Sequence, residues 1–173
     1  MKITTKQLCI AGVSASLIFA ITRFIQIPIP LGYFNIGNCV IMSCCLLMPP
    51  VCGVLAGSLG SALADLTSFP VYTVPTLIIK FLMPLIFYKL YAYLKSRLAS
   101  KINRAELISA IIAMAVCTLV PLFGYTITGG ILYGGFYAGL AQFPGLLLEY
   151  IANLIIFAVL FTPVNKIAKL ISD

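Results

Sequence analysis

The chain has 173 residues, 62% of them hydrophobic and only 9% charged, with a mean hydropathy of +1.13. So few charges cannot cover a water-soluble domain of this size, so lipid is the solvent for most of the surface. The net charge of +7 does not signal nucleic acid, because the cations sit at the ends of apolar runs and form no stripe with interleaved aromatics.

About 20 apolar residues are needed to cross ~30 Å of hydrocarbon, which leaves room for roughly six crossings in one integral domain over residues 1–173. Helix 1 is expected from Thr5 to Ile27, a retained span that ends at the prolines of "IPIP". The loop "LGYFN" leads to helix 2, Ile36 to Met48, and Pro49 and Pro50 break the chain before helix 3, Val51 to Leu66. Helix 3 is rich in small residues at spacings of four, Gly53 with Gly57 and Gly60 with Ala64, which lets a neighbouring backbone approach closely. Helix 4 is expected from Pro75 to Tyr93, and the basic loop "KSRLASKINR" follows it. Helix 5 runs from Ala105 to Tyr125. The segment "TGGILYGGFYAGLAQ" reads as a connection to helix 6, Pro144 to Leu170.

Six crossings place Lys2, Lys6, Lys89, Lys95, Arg97, Lys101, Arg104, Lys166 and Lys169 on one side of the membrane. The opposite connections carry no Lys or Arg, so both termini are expected in the cytoplasm of a plasma-membrane protein. The six cysteines include no C-x-x-C pair, and the chain has no histidine, which argues against a metal or haem site; no cofactor is expected. Without histidine, a phosphate-cradling G-x-x-x-x-G-K-[ST] loop or a G-x-S-x-G elbow, the chain has no equipment for intrinsic catalysis.

Four charges remain inside the spans: Arg23, Asp65, Lys80 and Glu149. A charge in the bilayer core costs ~2.5–3.5 kcal/mol on insertion scales, so each needs a partner, a wet cavity or a route to the interface. At a rise of ~1.5 Å per residue, all four fall in the outer half of the membrane. A channel would line the whole thickness, and a secondary transporter would place polar groups at the midplane. A polar cluster that opens outward above an apolar inner half describes a capture site for a small polar ligand. Neutral residues join it: Asn35, Asn38, Asn153 and Gln26, with Tyr33, Tyr72, Tyr125 and Tyr133 from the outer connections. Glu149 and Asn153 are four apart and share a helix face.

"AGVSA" (Ala11, Ala15), "IPIPLGYFNIGN", "GVLAGSLGSALADL" and "PVYTVPTLIIKFLMPL" together resemble the substrate-binding S component of energy-coupling-factor (ECF) vitamin transporters. The resemblance implies a subunit that binds a vitamin or precursor from outside. It would dock on a transmembrane coupling protein through Ala11 and Ala15, and topple as two cytoplasmic ATPases turn over. The chain departs from that pattern at Asn38, where an acid is expected, and at Glu149, where relatives look neutral. Carboxylates beside tyrosines suit an aromatic ring bearing an amine or hydroxyls, which favours a B6-type pyridine or a thiamine-precursor pyrimidine. Riboflavin, pantothenate and a queuosine precursor are the alternatives. The rival readings are a stand-alone secondary transporter and a structural membrane protein without a ligand.

Overall fold

The computed structural model describes residues 4–99 and 104–172, so Lys2 and Lys101 of the cation pattern lie outside the described residues. In chain order the elements are α1 (Thr5–Phe24), β1 (Ile27–Ile29), β2 (Gly32–Phe34), α2 (Gly37–Cys45) and α3 (Pro50–Ser68). A 3-10 turn at Pro70–Tyr72 leads to α4 (Thr73–Leu98), α5 (Ala105–Cys117), α6 (Leu119–Leu132) and α7 (Phe136–Ser172). Helix α1 starts at a capping box: the Thr4 side chain accepts from the Gln7 backbone N–H at 3.3 Å, and the Gln7 carboxamide accepts from the Thr4 N–H at 3.0 Å.

Among the described residues, five segments are long and apolar enough to span a bilayer: α1, α3, α4 with its preceding turn, α5 with α6, and α7. The sixth crossing is the nine-residue α2, every residue of which is buried. The packing of α1 on α3 requires it. Near their starts, the two helices line one groove with Gln7 and Pro49; at mid-length Gly60 meets Ala15; at their far ends Gln26, just past α1, donates to the hydroxyl of Ser68, the last residue of α3, at 3.1 Å. They are therefore parallel, and the chain between them must return through the membrane. A nine-residue helix of about 14 Å can do so only because protein, not lipid, surrounds it.

Small residues set the helix spacings. A Cβ on Gly60 would stand 2.6 Å from the Ala15 carbonyl oxygen, and one on Gly53 would stand 2.1 Å from the Tyr88 hydroxyl. The same small residues include Ala11 and Ala15, expected as the docking residues of helix 1. Ala11 is buried in the core and half-buried Ala15 presses on α3, so both pack within the chain. The exposed face of α1 carries Leu8, Gly12, Val13, Ser16 and Leu17 instead.

The expected helix 5 and its long connection are also revised. The first breaks at Thr118, because Pro121 has no N–H to bond the Cys117 carbonyl. Most of "TGGILYGGFYAGLAQ" is helical, and the turn is confined to residues 133–135, where Gly134 and Gly135 have positive φ (86° and 143°). The other glycines of that stretch serve helix contact: a Cβ on Gly139 would lie 2.3 Å from the Thr126 carbonyl oxygen. Residues 27–34, expected as a helix stop and a loop, form a β-hairpin pairing Ile27 with Phe34 and Ile29 with Gly32. Pro30 and Leu31 make its turn. Leu31 has φ 59°, as the third position of a type II turn requires, with proline before it.

Large apolar side chains such as Val13, Phe24, Leu148 and Val159 point outward, as a lipid-facing surface demands. The interior below the polar cluster is closed by Ile18, Met42, Met83, Phe87, Met114 and Phe157, none of them solvent-accessible. Phe87 stacks on Tyr91 and meets Phe157 edge-on. At the opposite end from the hairpin, Glu106 binds Lys95 and Lys169 (both 2.8 Å) and accepts from Asn165 at 2.9 Å, joining the ends of α4, α5 and α7.

Candidate functional site

The hairpin, the end of α3, the 3-10 turn, α6 and α7 enclose a cavity with about 390 Å³ of free space, its mouth included. Asn35, Asp65, Tyr72, Tyr125 and Glu149 of the expected site line it, with Tyr33 from the hairpin. Phe69, Ile29 and Leu146 complete an apolar wall.

Asp65 is 3% exposed, and both its carboxylate oxygens are engaged: Tyr33 donates to Oδ1 and Thr76 to Oδ2. Thr76 also lies 3.0 Å from the Tyr125 hydroxyl. Asp65 thus ties the hairpin to the end of α3 and the start of α4. Tyr33 stacks obliquely on Phe69, with ring centroids 5.4 Å apart. Burial, and the Asp65 carboxylate beside it, push the Tyr33 phenol well above its ordinary range, so it remains a donor at any physiological pH.

Below the cavity floor, Lys80 donates to Oδ1 of Asn38, and the other end of that carboxamide donates to Glu149 Oε1 at 2.9 Å. Lys80 also lies 5.5 Å from the Tyr125 ring centroid. Lys80 and Glu149 are each under 5% exposed, and among the described residues no carboxylate comes within 4 Å of Lys80. Asn38 therefore mediates between an ammonium and a carboxylate, and its two-ended amide suits it to that place better than an acid would.

Asn153 is fully buried and does not face the cavity. It accepts from the Cys39 N–H (2.8 Å) and donates to the carbonyls of Asn35 and Glu149 (2.9 Å each), pinning α2 to α7. Asn35 closes the start of α2 by accepting from the Gly37 N–H at 2.6 Å. Tyr133 sits at the rim with its ring 6.2 Å from that of Tyr72. Gln26 serves the α1–α3 contact. Arg23 is not brought to the cavity; it lies half-buried on the outer part of α1, 6.0 Å from the Phe24 ring.

Gln142 was not among the expected residues. It is 2% exposed, lines the cavity, and accepts from the Tyr72 hydroxyl at 3.2 Å. Its amide nitrogen fits the notch at Gly129, where any Cβ would stand 1.6 Å away. Once α7 is known to start at Phe136, the signal is plain: Gln142, Leu146, Glu149 and Asn153 fall on one face at spacings of four, three and four. Reading Pro144 as a helix start hid that stripe.

A family model described as "ECF-type riboflavin transporter, S component" matches residues 2–167. The chain belongs to that family. This S component is accordingly a multi-pass membrane protein and a vitamin-type substrate-binding subunit of a transporter. A solved structure described as "Structure and mechanism of the S component of a bacterial ECF transporter" superimposes with a TM-score of 0.68 over 95% of this chain and 98% of that one. At 20% identity the likeness concerns the fold. An uncharacterised protein of Pyrococcus woesei is 44% identical over 61 residues, which are 34% of this S component and 41% of that protein's length. The match thus spans about two fifths of that relative.

Proposed function

We propose that this S component captures a single-ring heteroaromatic vitamin or precursor, of the B6 pyridine or thiamine-pyrimidine kind, from the outer side of the membrane. The observation that carries this reading is Glu149: a buried carboxylate in a small aromatic-walled cavity, balanced only through Asn38 by Lys80. A carboxylate in low dielectric binds a ring nitrogen or amino group by a charge-assisted bond, while Tyr72, Tyr125 and Phe69 supply faces for the ring. Asp65 has both oxygens engaged and acts as the hairpin's anchor rather than as a ligand contact. The apolar core below the site closes the inward route, so release requires the whole subunit to reorient. The coupling protein and two ATPases expected of the family would drive that motion. Docking is assigned to the exposed face of α1, where Gly12 has open space around its Cα and Ser16 lies one turn on.

Riboflavin is the second reading, favoured by the description of the family. Thermal unfolding of the purified subunit with pyridoxine, the hydroxymethylpyrimidine precursor of thiamine, and riboflavin decides between them. A ligand bound only by the folded state raises the midpoint with concentration. A shift with either single-ring compound supports the proposal. A shift with riboflavin alone replaces it with the second reading, and no shift with any of the three removes both.

A further inference from the structure

A second, smaller space, about large enough for one water-sized group, lies against the first, and Tyr125, Leu146 and Glu149 line both. Its own walls include Asn38, Thr118, Leu122 and Tyr150. It is set at the α5–α6 break, so Thr118, the residue between the two helices, faces a space that an unbroken helix would have carried past. A polar-walled space of this size holds one water-sized polar group.

The polar groups around this space are biased. Thr118 is 1% exposed and donates its hydroxyl hydrogen to the Met114 carbonyl at 2.7 Å. Tyr150 donates its hydroxyl hydrogen to the Ala115 carbonyl at 3.2 Å. Asn38 is engaged at both ends, by Lys80 and Glu149. A hydroxyl has one hydrogen but two lone pairs, so Thr118 and Tyr150 retain acceptor capacity and no free donor. The Glu149 carboxylate adds further acceptors, its charge balanced through Asn38 by Lys80. Together they form a small chamber rich in hydrogen-bond acceptors.

We propose that this inner chamber is a substituent pocket. It receives a short hydrogen-bond-donating group, a hydroxymethyl or aminomethyl, carried by the ring held in the outer cavity. The chamber thereby separates such ligands from their methyl and carboxylate analogues. A methyl leaves the Thr118 and Tyr150 oxygens without a donor, and a carboxylate sets acceptor against acceptor. Discrimination of this kind is characteristic of sites whose buried polar groups are left unpaired by the wrong substituent. The proposal rests on the single-ring reading above and adds the residues that choose among such rings.

The test is calorimetric titration of the full chain in detergent with two matched pairs. The first is pyridoxine and 2,4,5-trimethylpyridin-3-ol, in which both hydroxymethyls are methyls; the second is 4-amino-5-hydroxymethyl-2-methylpyrimidine and its 5-methyl analogue. The hydroxymethyl member of the pair that binds is expected to bind about five- to tenfold tighter, the scale of one net hydrogen bond. Thr118→Val and Tyr150→Phe should each shrink that ratio and leave the methyl analogue's affinity within about twofold of wild type. Leu122→Phe, which fills the chamber, should weaken the hydroxymethyl compound most. Equal wild-type affinity for both members of a pair, or equal weakening of both members by all three variants, overturns the substituent pocket and leaves the single-ring reading intact. Binding of neither pair by the wild type overturns the single-ring reading itself, and the pocket with it.

Discussion

The link from Lys80 through Asn38 to Glu149 makes a quantitative prediction that separates a built electrostatic site from two isolated buried charges. Lys80→Met keeps the length of the side chain and removes its charge; Glu149→Gln keeps an oxygen for the Asn38 donor and removes the other charge. Lys80 and Glu149 are 3% and 4% exposed, so water screens them little. For charges about 6 Å apart on either side of one carboxamide, an effective dielectric of about 20 gives an attraction of about 3 kcal/mol. Either single change strands the remaining charge, and the expected destabilisation approaches the roughly 3–5 kcal/mol of a broken buried pair. The double variant strands neither, so its cost should fall below the sum of the singles by about 2–3 kcal/mol. Unfolding of the four proteins in mixed micelles, followed by circular dichroism, measures the coupling directly. Additivity within about 0.5 kcal/mol would refute the coupling through Asn38. Ligand titration on the same proteins reports function: Glu149→Gln should weaken binding by about 1.5–3 kcal/mol, and the double variant should not restore it.

Three further outcomes follow from particular contacts. Gly60→Ala would bring a methyl to 2.6 Å from the Ala15 carbonyl oxygen and should lower stability by roughly 1–3 kcal/mol; an unchanged unfolding midpoint would contradict the close packing of α1 on α3. Gly12→Leu adds a side chain where nothing lies within 4 Å, so folding and ligand binding should persist while assembly with the coupling protein fails; normal ATP-dependent uptake would remove the docking face from α1. Tyr33→Phe deletes the hairpin's bond to Asp65 and should speed ligand dissociation about fivefold, the scale of one hydrogen bond. Stopped-flow dissociation rates equal to wild type would show that the hairpin does not hold the ligand in.

Hydropathy and cation placement determined the membrane solvent, the crossings, their orientation and the outward position of the stray charges, because each depends on one segment's free energy in lipid or on charge counted along the chain. Residue type alone also marked Asp65, Lys80 and Glu149, since charge in the bilayer interior is costly wherever the helix points. Which partner each charge takes was decided only by tertiary structure. The sequence shows neither that Asp65 anchors Tyr33 and Thr76, nor that Asn38 stands between Lys80 and Glu149, 111 residues apart from the latter along the chain. The same holds for the small residues. Spacings of three and four mark a close helix contact, but not whether the other helix belongs to this chain, and Ala11 and Ala15 proved to face inward while Gly12 and Ser16 face out. Glycine was equally ambiguous: in "TGGILYGGFYAGLAQ" it makes a turn at Gly134 and Gly135 and a helix contact at Gly129 and Gly139. Only the neighbouring helix decides which, because a missing Cβ favours a turn in isolation and close packing when a backbone lies within reach.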